Sequence, residues 1–187
     1  MDFQELLKKR RSIRDFRNEE VPLPVVREIL QDTCLAPTAG NGQPCRFIII
    51  RDRGVMKSLS DDSKKSLLAD ISGHPDSPLK KYEAALKDER FNVFYNAPCL
   101  VLITGPMGIH SLEVDCALTA AYFMFSAVSR GLGTCWIALG AHIRDPKLLK
   151  EIGMPKNCRI VAPIVIGYPA DVPGASERHA PDIAKIV

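Results

Sequence analysis

Ala36-Pro37-Thr38-Ala39-Gly40-Asn41-Gly42-Gln43-Pro44 joins the end of an amphipathic helix to the apolar run Phe47-Ile48-Ile49-Ile50. Both flanks are readable. Upstream, Pro24 suits the first turn of a helix in which Val25, Val26, Ile29, Leu30 and Cys34 recur at helical spacing, and Pro37 ends it. Downstream, a continuous β-branched run is that of a buried strand. Between them, Thr38, Asn41 and Gln43 are hydrogen-bonding side chains held between two prolines, and Gly40 and Gly42 permit tight backbone geometry. A plain turn is one reading. It needs only about four residues, whereas this connection uses eight and carries two carboxamides. The other reading is a loop that offers hydrogen bonds to a planar heteroaromatic ring.

The rest of the chain continues the mixture. Residues 3 to 9 read as a short helix with Phe3, Leu6 and Leu7 on one face, and Lys8 to Arg11 complement the negative pole of its dipole. Residues 54 to 90 are charged and expected to be helical in pieces, interrupted by Gly73, Pro75 and Pro78. Cys99 to Thr104 reads as a second buried strand closed by Gly105-Pro106. The longest helix is expected from about His110 to Arg130, stopped by Gly131; Ala117 to Val128 is apolar nearly all round and belongs in a core or a subunit interface. Cys135 to Leu139 and Arg159 to Gly167 read as further buried strands around a helix near Pro146 to Ile152. Strands and helices alternate without a clean βαβ repeat, so the fold class is α+β rather than doubly wound. With no internal repeat or interdomain linker, residues 1–187 are expected to form a single domain.

Composition narrows the function classes. The net charge of +3 is too small to imply a nucleic-acid partner, but six of the 25 Lys and Arg fall between residues 8 and 17 against one acid, Asp15. Within that segment, Arg10-Arg11-Ser12-Ile13-Arg14 supplies forked guanidinium donors and a hydroxyl, which match phosphate oxygens. A solvated helix end is the bland reading. A nucleic-acid patch lacks interleaved aromatic residues. The six cysteines, 34, 45, 99, 116, 135 and 158, form no C-x-x-C pair and are expected to be buried free thiols; no metal is expected. There is no signal-peptide-like apolar core in the first thirty residues, and no apolar run approaches the ~20 residues of a membrane span. A cytoplasmic protein is expected. No P-loop is present, and Gly131-Leu132-Gly133 lacks the third glycine of the dinucleotide fingerprint.

A phosphate-holding segment followed by a ring-binding loop points to a flavin mononucleotide (FMN) site. In order, the Arg-Arg-Ser-Ile-Arg segment, the Ala36–Pro44 loop with strand Arg46 to Ile50, Asn96-Ala97-Pro98, Gly131 to Ile137, and Pro163 to Pro169 resemble the nitroreductase family of FMN-dependent oxidoreductases. The resemblance implies a layered α+β fold with a mostly antiparallel sheet flanked by helices, in an intertwined homodimer with FMN sites built from both subunits. It implies that Arg10, Ser12 and Arg14, Arg11 through its backbone, and Arg178 from the tail hold the FMN phosphate. Pro37, Thr38 and Ala39 would approach the flavin from the partner subunit. Asn41 and Gln43 would fix the loop or bond the ribityl chain and ring. Ile137, Ala138 and Leu139 match the segment that passes a backbone N–H to flavin N5.

The sequence departs from the family pattern in three places. Cys45 follows Pro44 where tryptophan is usual, Tyr122 or a neighbour stands where the long helix often has an amide, and Gly140 replaces a common aromatic. The first and last predict an altered or roomier pocket. The implied chemistry is hydride transfer from NAD(P)H through flavin N5 to an electrophilic acceptor (nitroaromatic, quinone or enone) in ping-pong fashion, with no catalytic side chain. Arg14, Lys64 or Lys65 would stabilise the reduced ring's charge, and Phe91, Phe94 and Tyr95 would form either a lid or ordinary core. A non-catalytic FMN-binding, storage or sensing module is the alternative, and a cofactor-free basic interaction protein a third reading.

Overall fold

The structure, a computed structural model, describes residues 2–74 and 76–187; Pro75, one of the expected interruptions, lies outside them. Helix α1 (Phe3–Lys9) starts with a reciprocal cap: Asp2 accepts from the Glu5 amide at 2.8 Å, and the Glu5 carboxylate accepts from the Asp2 amide. Helix α2 (Leu23–Thr33) carries proline in its first turn and buries Val26, Ile29 and Thr33. The 37–44 connection then enters strand β1 (Arg46–Ile50). Four strands form one sheet in the order β1, β2 (Cys99–Pro106), β4 (Cys158–Gly167), β3 (Gly133–Trp136), and every pairing is antiparallel.

Alternation along β2 divides the core into two layers. Cys99, Val101 and Ile103 face α2 and helix α5 (Leu112–Ser129), where Val26, Ile29, Cys116, Ala120 and Phe123 meet them. Leu100 and Leu102 face the other way, onto Phe94, Val165 and helix α3 (Arg53–Gly73) through Met56 and Leu59. The layered α+β architecture with an antiparallel sheet flanked by helices is therefore what the sequence predicted.

Three local expectations are corrected. Residues 53–73 form a single helix of 21 residues, longer than the 18 of α5. Its buried stripe mixes Met56, Leu59, Leu67 and Ile71 with Ser60, Ser63 and Lys64, so an apolar-periodicity reading breaks it into pieces. Those polar groups are satisfied: Ser60 accepts from the Val93 amide, Ser63 donates to the Leu139 carbonyl, and Lys64 Nζ donates to the Asp88 and Phe91 carbonyls at 2.7 and 3.0 Å. A 3-10 turn (Pro78–Tyr82) and helix α4 (Glu83–Lys87) follow. Strand β3 ends at Trp136, because Ala138–Ala141 coil into a 3-10 turn ahead of helix α6 (Pro146–Glu151). Of the six free cysteines only 99, 116 and 135 are buried; 45 and 158 are half-buried and Cys34 is exposed.

Helix α5 is long and apolar enough, by length and composition, to cross a membrane, the one such helix among the described residues. Here one side of it lies on the sheet. The other exposes Val114, Leu118 and Tyr122, and Tyr122 shares a depression with Phe3, Leu35 and Phe125. The segment expected in a core or an interface thus has a core half and an uncovered apolar half.

Candidate functional site

Residues 10–14 are fixed by strand β3. The Ile13 amide donates to the Thr134 carbonyl at 3.0 Å, Ser12 forms a parallel bridge with Thr134, and Ile13 is buried. Gly133 makes this approach attainable, since a Cβ there would stand 2.5 Å from Ile13 Cγ1 and 2.8 Å from its Cβ. Further along, the Arg17 amide donates to Tyr168 and the Ala170 amide to Asp15, laying the start of the tail beside the same segment. Both chain ends then wall a cleft of about 550 Å³. Its lining includes Lys8, Arg10, Arg11, Ser12 and Arg14 from one end and Ser176 and Arg178 from the other, with no acidic residue.

The electrostatics of this cleft are one-sided. Arg10, Arg14 and Arg178 make no salt bridge among the described residues. Arg11 differs, its guanidinium turning back to the Lys8 and Arg10 carbonyls at 2.6 and 2.7 Å. Arg14 sits 5.9 Å from the centroid of the Tyr95 ring. Beneath lies the buried Cys135 thiol. Burial pushes its pKa up, and the charges of Arg14 and Arg10 and the Ser12 hydroxyl draw it partly back. Three guanidiniums and a hydroxyl without an internal acid are a donor set for an external oxyanion.

The 37–44 connection lies apart from this cleft in the same chain. Its backbone takes left-handed φ values at Gly40 (56°), Asn41 (55°) and Gln43 (44°), uncommon for the two carboxamides. Internal bonds hold that shape: the Gln43 amide donates to Thr38 Oγ1 at 3.0 Å, and Gln43 Nε2 to Asn41 Oδ1 at 3.1 Å. Of the two roles expected for Asn41 and Gln43, fixing the loop is the one these contacts perform. A third anchor was not anticipated. The Ala39 amide donates to Asp115 Oδ1 at 2.9 Å, and the other oxygen of this buried carboxylate accepts from Ser111. Asp115 stands in the first turn of α5, where acids ordinarily complement the helix dipole, so its sequence signal was the commonplace one. Pro37, Thr38 and Ala39 share no lining residue with the arginine cleft.

Ile137, Ala138 and Leu139 stand where β3 gives way to the 3-10 turn. The Ile137 amide is taken by the Pro163 carbonyl at 2.8 Å, and its side chain is buried. Ala138 and Leu139 begin the turn, where amides have no acceptor inside the helix. Ala138 also lines a depression of about 440 Å³ with Trp136, Arg159 and Ile160. Gly140 does not enlarge this region. It is buried, and a Cβ would stand 2.5 Å from Phe94 Cε1, so the Phe94 ring occupies the space. Phe94 is therefore core and not a lid, while Phe91 and Tyr95 meet edge to face beside it. Lys64 donates to two backbone carbonyls and does not line the cleft.

Comparison with known proteins gives these features a context. The Nitroreductase family profile matches residues 7–168. A protein of Methanothermobacter thermautotrophicus with the provisional name NADH dehydrogenase/NAD(P)H nitroreductase is 26% identical over 187 residues, covering 97% of this chain and 85% of that one. The iodotyrosine deiodinase of Thermotoga neapolitana is 26% identical over 174 residues, covering 89% and 88%. Among solved structures, a Bacteroides fragilis nitroreductase with bound FMN superposes with a TM-score of 0.82 at 22% identity, covering 100% and 99%. The chain belongs to the nitroreductase family.

Proposed function

We propose that this member of the nitroreductase family is an FMN-dependent oxidoreductase that passes reducing equivalents from NADH or NADPH to a small electrophilic acceptor. The observation that carries this reading is the acid-free cleft with Arg10, Ser12, Arg14 and Arg178 on its walls. When bound, FMN supplies the hydride-accepting and hydride-donating centre at its ring. The chain's own residues bind and orient. The three guanidiniums neutralise the phosphate and Ser12 adds a neutral donor. The amides of Ala138 and Leu139, which have no acceptor among the described residues, are the donors at the end of β3 for the ring edge. Of the other cations considered, Lys64 is bonded to two backbone carbonyls and Lys65 is exposed on α3, while Arg14 is held over Tyr95 on the cleft wall.

The 37–44 connection, held by internal hydrogen bonds and lining no part of its own arginine cleft, fits a role at the flavin of a second copy. In this reading the uncovered side of α5 with Phe3 and Leu35 is the homodimer contact, and Pro37, Thr38 and Ala39 reach across it. Residues 1–187 act as one domain. Six cysteines without a disulfide suit a reducing cytoplasm. The family holds relatives named for nitroreduction and for deiodination. The acceptor is accordingly proposed as a class: nitroaromatics, quinones and enones. Anaerobic addition of NADH or NADPH to the FMN-loaded protein tests this. Loss of the flavin absorbance, and its return on adding a quinone, is the expected result. A bound flavin that neither donor reduces would replace the enzyme with a storage or sensing module.

A further inference from the structure

The residue that follows the 37–44 connection, Cys45, has its side chain against α5. Cys45 Sγ lies 3.5 Å from Cys116 Sγ and 3.3 Å from Thr119 Oγ1. Cys116 is fully buried in the helix, whereas Cys45 is half-buried and lines a cavity of about 40 Å³ with Cys34, Thr38, Gln43 and Thr119. One water's share of liquid volume is about 30 Å³. The cavity therefore has room at the Cys45 side chain for a small molecule such as hydrogen peroxide. The two thiols are also unlike. Hydrogen bonding with Cys116 and Thr119 draws Cys45 down to about 7, against burial and the Asp115 charge. Cys116 is pushed up by its bond to Cys45, by burial, and by the charges of Cys45 and Asp115.

We propose that Cys45 and Cys116 form a peroxide-reactive dithiol site whose product is an intramolecular disulfide tying the end of the 37–44 connection to α5. The Cys45 thiolate sulfur attacks one peroxide oxygen. The O–O bond breaks, hydroxide leaves and takes up a proton, and the sulfur, oxidised by two electrons, becomes a sulfenic acid. Cys116 sulfur then attacks Cys45 sulfur. An S–S bond forms as the S–O bond breaks, and the departing hydroxide removes the Cys116 proton as water. Two thiols and one peroxide give one disulfide and two waters.

The sulfurs must close from 3.5 Å to about 2.05 Å. Cys116 is fixed within α5, so the movement falls to Cys45, which precedes the first paired residue of β1, Arg46. The same helix already holds Ala39 through Asp115. Oxidation would thus add a covalent anchor at the far end of one connection.

The full-length protein, as purified, is exposed to hydrogen peroxide, alkylated under denaturing conditions and digested for peptide mapping. The expected product has lost two hydrogens from its intact mass, has two fewer alkylatable thiols, yields one linked peptide pair containing Cys45 and Cys116, and reverts with a thiol reductant. Cys34→Ser is expected to give the same pair. Cys116→Ser is expected to accumulate Cys45 sulfenic acid, trapped by dimedone. A disulfide to Cys34, a cross-link between chains, or Cys45 oxidised no faster than the other thiols would each overturn the assignment. Mapping of the wild type and Cys34→Ser decides it even if Cys116→Ser fails to fold.

Discussion

Arginine is used in two opposite ways in this molecule. Arg144 grips Asp70 with two parallel bonds of 2.9 and 2.7 Å, and its own amide donates to Asp62. Arg130 reaches Asp32 at 2.8 Å and the Ser126 hydroxyl at 2.7 Å, clasping α2 to the end of α5. At the other extreme, Arg10, Arg14 and Arg178 converge on one cleft and meet no carboxylate among the described residues. The first group completes itself inside the chain and serves as scaffold. The second group holds like charges together with nothing internal to offset them, an arrangement that makes sense only when an anion arrives. Unmet donors, and not the number of arginines, mark the site.

Replacing Arg10 and Arg14 together by alanine breaks this contrast most severely. Two charge-assisted bonds at about 1.5–3 kcal/mol each make the expected loss in FMN affinity about 3–6 kcal/mol. Because neither side chain holds a salt bridge, the melting temperature of the apoprotein should change little beyond the Arg14–Tyr95 contact, worth about 0.5–1 kcal/mol. Titration of apoprotein with FMN, with a thermal melt alongside, reads both quantities. A variant that keeps full FMN affinity, or that loses stability in proportion, would move these arginines into the scaffold class.

A subtler change keeps every charge and moves its support. Gly133→Ala places a methyl 2.5 Å from Ile13 Cγ1, at the point where residues 12–14 lie on β3. Overpacking of this kind costs about 1–3 kcal/mol. It should lower stability and FMN affinity together, because the same segment carries Ser12 and Arg14. Denaturant unfolding and FMN titration of this variant would show whether the two properties are coupled through β3.

The scaffold pair responds to acid. Hydrogen bonding from Ser126 is the largest influence holding the Asp32 carboxyl below its ordinary value of 3.8; burial opposes it, and the bond and charge of Arg130 add to it. A folded-state pKa below the unfolded one gives stability that is present above about pH 4 and is lost as pH falls through the lowered value. The pair is partly solvent-exposed, so the effect is below about 1 kcal/mol. Asp32→Asn should flatten that part of the acid limb in a pH series of melts and leave FMN binding unchanged. Loss of FMN affinity in this variant would erase the distinction between the two arginine groups.

The sequence revealed these regions unevenly, for physical reasons. Strands β1, β2 and β4 were legible because both faces of the sheet are covered, and their residues read as unbroken apolar runs. The arginine cleft was legible only in halves. Arg10 to Arg14 stand out as a cluster, but it took the family resemblance to bring Arg178 to it from the far end of the chain. Helix α3 was illegible as one element because Ser60, Ser63 and Lys64 occupy its buried face, each satisfied by a backbone partner distant in sequence. Gly140 misled for a related reason: what fills the space of a missing side chain is Phe94, forty-six residues earlier, and no local pattern announces it. Asp115 likewise looks like a routine helix-start acid until the Ala39 amide is found on it.

Arg10, Arg14 and Arg178 are proposed to stand unpaired for a phosphate. FMN and riboflavin share the same ring and differ in that group, so their affinities for the wild-type apoprotein, measured side by side by quenching of flavin fluorescence, test it most directly. A difference of about 3–6 kcal/mol corresponds to FMN binding roughly a hundred- to ten-thousand-fold more tightly. Equal affinity for the two flavins would contradict the account, whatever activity the protein shows.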